Sequence, residues 1–344
     1  MMSKMRQEIL EIPAQLQVQL MLNVEIWQAF SIALKARSPK SVMTVARGSS
    51  DHAATYAKYL FETELHLPTS SAAPSIISIY KTPLELKDTL VVAISQSGQS
   101  PDLLEVMRYA KTQGALTLAL VNDTSSPLAA LADFVIPLHA GPELAVAATK
   151  SFLLTLTALL HGVAIIKNNA SLLDGLAQLP SAFSKVLGMD LSLYFSYFVA
   201  NNALILGRGF SFSIAQEIAL KFKEVTQIHA EAFSSAEILH GPFSLLKEPL
   251  PILALTQHDL SLPSMLSTLI KIKTTSVNPL IFCSEETADT FKDFSQKVLL
   301  PSVPSLLTPL LSCALLYLMI EALARAKNLN PDQPPLIQKI TRTQ

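Results

Sequence analysis

Short apolar runs alternate with helix-period segments along the first half of this chain. Ser41–Ala46 (SVMTVA) reads as a strand, followed by Arg47-Gly48-Ser49-Ser50 and a helix over Ala53–Glu64. An apolar segment near Ile76–Tyr80 precedes a second strand over Thr89–Ile94. The chain then turns abruptly polar, Ser95-Gln96-Ser97-Gly98-Gln99-Ser100, before Leu103, Leu104, Val106 and Met107 resume a helical period that runs to Thr112. Ser100 falls at an N-cap position and Pro101 at the first helical position. Ala115–Val121 and Phe134–Leu138 are further apolar runs, and Ala148–Lys167 predicts a long buried helix. Strands alternating with helices imply a parallel, doubly wound α/β sheet.

The pattern then restarts. Ala203–Leu206 is a strand, followed by Gly207-Arg208-Gly209-Phe210-Ser211 and a helix over Ile214–Thr226. An offset of 161 residues carries Arg47-Gly48 onto Arg208-Gly209, Ser50 onto Ser211, Ala54 onto Ala215 and Phe61 onto Phe222. The repeated order argues for a duplicated domain. The expected organisation is an N-terminal helical segment (1–30), two α/β domains (31–170 and 171–329) and a tail (330–344). Under the same offset Ser95 meets Thr256, in LTQHD, so the second copy lacks the Ser-rich turn.

The Ser-rich turn lies between a strand's carboxyl end and a helix's amino end, where open α/β sheets bind ligands and unpaired N–H groups suit a phosphate. A turn capping its own helix would use the same residue types. In the second copy, Ile214, Ile218, Phe222 and Val225 form one helical face, while Glu217, Lys221 and Glu224 share another. That spacing alone describes a solvated Glu–Lys pair. The segment after it adds His229, Glu231, Glu237 and His240, the last on a turn before Gly241-Pro242, where an imidazole can serve as acid or base. The tail, NPDQPPLIQKITRTQ, is extended by Pro331, Pro334 and Pro335. It places Lys339 beside Leu336, Ile337 and Ile340. A desolvated lysine there would act as a nucleophile; a solvated one would belong to a frayed basic terminus.

Half of the 344 residues are apolar and 15% are charged, enough for large cores and for apolar surface buried between subunits. A net charge of −1 with scattered basic residues leaves no electrostatic footprint for nucleic acid. Cys283 and Cys313 are the only cysteines, which excludes a multi-bridge disulfide framework and fits a reducing compartment. Leu306–Ile320 is about 15 residues, interrupted by Pro309, against the ~20 a spanning helix needs. It and Val146–Ile166, which carries Lys150 and His161, read as buried helices of a globular core. No membrane partner and no signal core are expected, and the expected location is cytoplasmic.

As a set, the segments RGSS, ISQSGQSPD, GPELAVAATKSF, EIALKFKEV, IHAEAF, ILHGP and DQPPLIQK resemble the sugar isomerase (SIS) domain family. Within it they resemble the tandem isomerase half of the glutamine–fructose-6-phosphate aminotransferases, over nearly the whole chain. The resemblance implies two SIS domains and a phosphosugar substrate. It implies that Ser50, Ser95, Gln96, Ser97 and Ser100 contact phosphate and sugar, with Val146 nearby. It implies that Glu224 moves a proton between C1 and C2, and that His240 opens the ring, reaching the site from a neighbouring subunit. Lys339 resembles the lysine that forms a Schiff base with the open-chain ketose, and Lys221 the lysine that assists proton movement. A homodimer with shared active sites follows, with no cofactor; no metal-ligand spacing is present.

The chain departs from that pattern in places. It begins Met1-Met2-Ser3 without a catalytic N-terminal cysteine, Ser100 stands where the relatives have Thr, and Gln338 replaces a small residue. Without a glutaminase the expected reaction is glucosamine 6-phosphate to fructose 6-phosphate and ammonia. Other phosphosugar isomerisation, galactosamine-6-phosphate deamination and fructosamine-6-phosphate deglycation stay open. So does a non-catalytic phosphosugar sensor, for which Glu224, His240 and Lys339 would be unnecessary.

Overall fold

The computed structural model describes residues 2–198 and 201–339. Its first elements are helices α1 (Lys4–Leu10), α2 (Ile12–Leu22) and α3 (Val24–Arg37). Next come β1 (Ser41–Val45), α4 (Ser49–Leu60), β2 (Thr69–Ser71), α5 (Pro74–Ser78), β3 (Thr89–Ser95), α6 (Pro101–Thr112), β4 (Leu116–Val121), α7 (Pro127–Leu131) and β5 (Phe134–Pro137). Helices α8 (Lys150–Lys167) and α9 (Ala170–Leu187) lead to the second copy: β6 (Asn202–Gly207), α10 (Phe210–Lys221), β7 (His229–Ser234), β8 (Ile252–Leu255), α11 (Leu262–Lys273), β9 (Leu280–Ser284), β10 (Lys297–Leu300) and α12 (Thr308–Ala326).

These elements form two compact units. One contains Ala14–Glu143, Lys150–Ala177 and residues 338–339, and it holds the first sheet. The other contains residues 2–13, Leu144–Thr149, 178–198 and 201–337, and it holds the second sheet. The N-terminal helical segment is thus shared, with α1 against α12 in one unit and α3 against α8 in the other.

Both sheets are five-stranded and wholly parallel. The first has the order β2-β1-β3-β4-β5 and the second β10-β9-β8-β6-β7, the same topology read from the opposite edge. The duplication extends to detail. The 161-residue offset carries α4 onto α10 end to end, and Gly48 (φ +56°) onto Gly209 (φ +59°), each in the left-handed turn that opens its helix. It also carries a π turn, Phe61–Leu65, onto a second one, Phe222–Thr226. The expected α-helices therefore do not run unchanged to Glu64 and Thr226. Each widens in its last turn and ends on a left-handed residue, His66 or Gln227.

Alternation along the strands builds two layers on each sheet. In the first, Met43, Val45, Val91, Ala93 and Ala119 pack under α5, α6 and α7 through Ile77, Val106, Met107 and Leu128. The opposite face is covered by α4, which runs against β1 and β3 and against α8. In the second sheet, Leu204, Leu206, Ile252, Ala254 and Ile281 pack against Met265, Leu269 and Ile272 of α11. Helices α10 and α12 pack together on the other face. Among the described residues, α8 and α12 are the two helices long and apolar enough to cross a membrane, and 83% of each apolar window is buried inside the protein. They are core helices. Cys283 and Cys313 are both buried as free thiols.

Candidate active site

In the first sheet the chain leaves β1 for β2 on one side and β3 for β4 on the other. The crevice at the carboxyl ends of β1 and β3 is therefore a topological switch point, the place where such sheets bind ligands. Two helices open onto it: α4, with Ser50 in its first turn, and α6, preceded by Gln96–Ser100. Ser95 is buried at the end of β3, and its hydroxyl accepts the Gly98 N–H at 3.0 Å, which tightens the loop. The loop is fastened further by Gln96 and Gly98 carbonyls, which accept N–H groups of Asn122 and Leu128. Gly98 has φ +62°, and a Cβ there would lie 2.1 Å from Ser126 Oγ, so only glycine fits.

Ser50, Gln96, Ser97 and Ser100 are half-buried on this rim. Among the described residues the Ser50, Ser97 and Ser100 hydroxyls have no hydrogen-bond partner. Ser100 occupies the N-cap position with Pro101 after it, as expected, but its hydroxyl caps nothing. Asp102 supplies a local bond instead, accepting the Leu103 N–H at 2.9 Å. The same buried carboxylate holds Arg47, whose Nε and terminal nitrogen lie 2.8 and 2.7 Å from Oδ2. Arg47 remains half exposed, so the loop after β1 carries a fixed cation. Sequence reasoning gave Arg47 no role; its partner lies 55 residues away.

The corresponding crevice of the second sheet is occupied by the protein itself. Gln257, just after β8, accepts the Ser211 N–H at 3.1 Å and the Ser211 hydroxyl at 2.7 Å, and donates to Asp259. Gln257 thus takes up the Ser211 N–H and hydroxyl at the start of α10, a hydroxyl whose counterpart on Ser50 lies on the rim of the first crevice.

The charged stripe of α10 is not solvated. Glu217 and Lys221 are wholly buried, and Lys221 Nζ lies 3.5 Å from Glu217 Oε1 and donates to Glu224 Oε2. Glu217 also accepts the Tyr317 hydroxyl at 2.9 Å, from α12. Burial pushes the Tyr317 phenol and the adjacent Cys313 thiol well above their ordinary values, so Tyr317 stays a neutral donor. Glu224 differs from Glu217. It sits in the π turn with its side chain 23% exposed, and it lines a cleft of about 330 Å³ with Lys223, Gln227, Pro335, Leu336 and Ile337. The result is a carboxylate facing solvent space, backed by a buried ammonium and a second, inaccessible carboxylate. Such a pair can exchange a proton with a molecule in the cleft.

His240 is exposed on the turn before Gly241 (φ +133°), its N–H bonded to the Glu237 carbonyl at 2.9 Å. The Val146 N–H is committed to the Asp332 carbonyl at 3.0 Å. The Asp332 carboxylate in turn accepts the Lys4 and Met5 N–H groups, tying the tail to the start of α1. Lys339 is neither frayed nor in an apolar pocket. Leu336 and Ile337 turn outward, while the Lys339 ammonium donates at 2.8 Å to Glu143, a fully shielded carboxylate. Of its expected apolar neighbours, Ile340 lies outside the described residues.

Comparison with known proteins agrees with this architecture. The SIS domain model matches residues 36–163 and 196–326. The chain is 33% identical over 326 residues to a glutamine–fructose-6-phosphate aminotransferase [isomerizing] of Corynebacterium glutamicum, covering 88% of this chain and 51% of that protein. It thus spans about half the length of the curated relatives it matches. A solved chain from Silicibacter pomeroyi, assigned to the phosphosugar isomerases, superposes with a TM-score of 0.88 at 37% identity, covering 96% of this chain and 100% of that one. The C-terminal domain of the Francisella tularensis glucosamine-fructose-6-phosphate aminotransferase gives 0.82 at 26%, covering 97% and 99%. The chain therefore belongs to the SIS domain family, as a tandem pair of SIS domains homologous to the isomerase half of glutamine–fructose-6-phosphate aminotransferase.

Proposed function

We propose that this protein interconverts glucosamine 6-phosphate with fructose 6-phosphate and ammonia. The observation that carries the reading is the cleft carboxylate Glu224 backed by buried Lys221, in a chain homologous to enzymes named for fructose 6-phosphate. The phosphate is held by the hydroxyls of Ser50, Ser97 and Ser100, the Gln96 amide and the N-termini of α4 and α6, with Arg47 adding positive charge. His240 protonates the ring oxygen and opens the sugar. Glu224 removes the C2 proton while the C1 carbonyl oxygen takes up a proton from solvent, which gives an enolamine, and then returns its proton at C1 to leave a C2 iminium. Water then adds to the C2 iminium and ammonia leaves. Lys221 stabilises the charge developing on the enolamine side. His240 is supplied by the second subunit of a homodimer, in keeping with its exposure and lack of side-chain partners among the described residues.

A second reading is favoured by the 37% identity to a chain assigned to the phosphosugar isomerases: the same acid–base step without an amine, interconverting a ketose and an aldose phosphate. Ammonia release from glucosamine, galactosamine and fructosamine 6-phosphates separates the two. Release from glucosamine 6-phosphate supports the first reading. No release, with interconversion of unaminated ketose and aldose phosphates, replaces it with the second.

A further inference from the structure

We propose that Glu143 is the positioning residue for Lys339, holding its ammonium and accepting its proton when the amine attacks a ketose carbonyl; the chemical part rests on the phosphosugar reading above. Glu143 lies in the GPELAVAATKSF segment, where no role attached to it. Its carboxylate is fully shielded and receives directed donors: Ser151 N–H on Oε1 at 3.1 Å, and on Oε2 the Ser151 hydroxyl at 2.7 Å and Lys339 Nζ at 2.8 Å. Ser151 is the second residue of α8, so the carboxylate also sits at that helix's positive end, where wholly buried Lys150 begins the helix. The tail leading to Lys339 is otherwise turned outward, with Pro335, Leu336, Ile337 and Gln338 all exposed. One ion pair therefore fixes where the lysine nitrogen stands.

The pair also answers a chemical requirement. An ammonium has no lone pair to attack a carbonyl, so the nitrogen must give up a proton first. Glu143 Oε2, within hydrogen-bond distance, is the acceptor the structure supplies. Glu143 takes one proton from the ammonium. The freed amine bonds to the C2 carbonyl carbon, and the carbonyl pair moves to oxygen. A proton passes from nitrogen to that oxygen, giving a carbinolamine. Glu143 returns its proton to the carbinolamine hydroxyl, which leaves as water, and the nitrogen lone pair completes a protonated Schiff base. Ammonium and ketone thus become iminium and water, and the carboxylate is regenerated.

Two measurements on the full chain test this. In the first, without substrate, mass spectrometry follows acetylation of Lys339 by an amine-reactive reagent in wild type, Glu143→Gln and Ser151→Ala. The glutamine keeps the side chain's size and an acceptor for Ser151, so circular dichroism should match wild type. Lys339 should react at least tenfold faster in Glu143→Gln and at the wild-type rate in Ser151→Ala. Equal rates in wild type and Glu143→Gln overturn the proposal whatever the substrate. In the second, fructose 6-phosphate and sodium borohydride trap a Lys339 adduct. Glu143→Gln should form it at least tenfold more slowly, with sugar affinity within twofold of wild type. Adduct formation at the wild-type rate in Glu143→Gln overturns the proton role. A wild type that protects Lys339 yet forms no adduct refutes the ketose chemistry and leaves the positioning contact standing.

Discussion

Replacing Lys221 by methionine removes the cation between two carboxylates and leaves Glu217 buried with the Tyr317 hydroxyl. At the observed 3.5 Å, the Glu217–Lys221 attraction is about 5 kcal/mol at an effective dielectric of ~20. Part of that offsets desolvation in the native protein, so the measured loss should be about 3–5 kcal/mol, the range for breaking one side of a buried pair. Glu217→Gln should cost only about 1–2 kcal/mol, since its amide oxygen still accepts from Tyr317 and Lys221 keeps Glu224. The double variant has no buried uncompensated charge and should lose only about 1–2 kcal/mol, a coupling of about 3–5 kcal/mol between the sites. Urea unfolding followed by circular dichroism, with unchanged m-values, reads all four corners of the cycle. A Lys221→Met loss below about 1 kcal/mol, or a double variant as unstable as that single one, would refute the buried-pair reasoning.

Gly98→Ala forces a left-handed backbone on a residue with a Cβ, costing about 1–2 kcal/mol before Ser126 is displaced. Phosphosugar affinity by calorimetry should fall at least tenfold, and unchanged affinity would dissociate this loop from the phosphate. Burial lowers His161 from 6.5 to about 4, and its Nδ1 has no partner among the described residues. The unfolded state therefore takes up the proton first as pH falls: the contribution is complete above pH 6.5 and about 2 kcal/mol of it is gone by pH 5. His161→Phe should remove that acid-side loss in urea titrations at pH 7.5 and 5; parallel wild-type and variant losses would contradict it. Glu224→Gln and His240→Ala should each be inactive, yet subunit exchange between them should restore about a quarter of wild-type activity, because half the dimers carry one intact site. No recovery in a verified heterodimer would place His240 in its own subunit's site.

The sheets, their parallel sense and the duplication were legible because apolar runs of strand length alternate with helix-period segments, and because Arg47-Gly48 recurs at Arg208-Gly209. The π turns were not, since Phe61–Leu65 and Phe222–Thr226 keep an apolar spacing that an α-helix would also satisfy. Glu217 and Lys221 read as a wet stripe because charge at i, i+4 spacing ordinarily faces water; only the packing of α12, with Tyr317 inside an otherwise apolar run, turns that stripe inward. The Ser-rich loop was found from composition and placement. Its cation was not, because Arg47 and Asp102 are joined by the switch point rather than by local spacing. The surroundings of Lys339 are hidden from the sequence for the same reason. Its neighbours in sequence are apolar, but its partner in space is Glu143, 196 residues away.

The proposed activity divides the labour: the Ser-rich loop binds phosphate and Glu224 performs the proton transfer. Steady-state ammonia release from glucosamine 6-phosphate tests it most directly in wild type, Ser97→Ala and Glu224→Gln. Ser97→Ala should raise KM with kcat little changed, and Glu224→Gln should lower kcat by about 10²–10⁴ with KM little changed. Turnover of Glu224→Gln at the wild-type kcat, or no release by the wild type, would contradict this division.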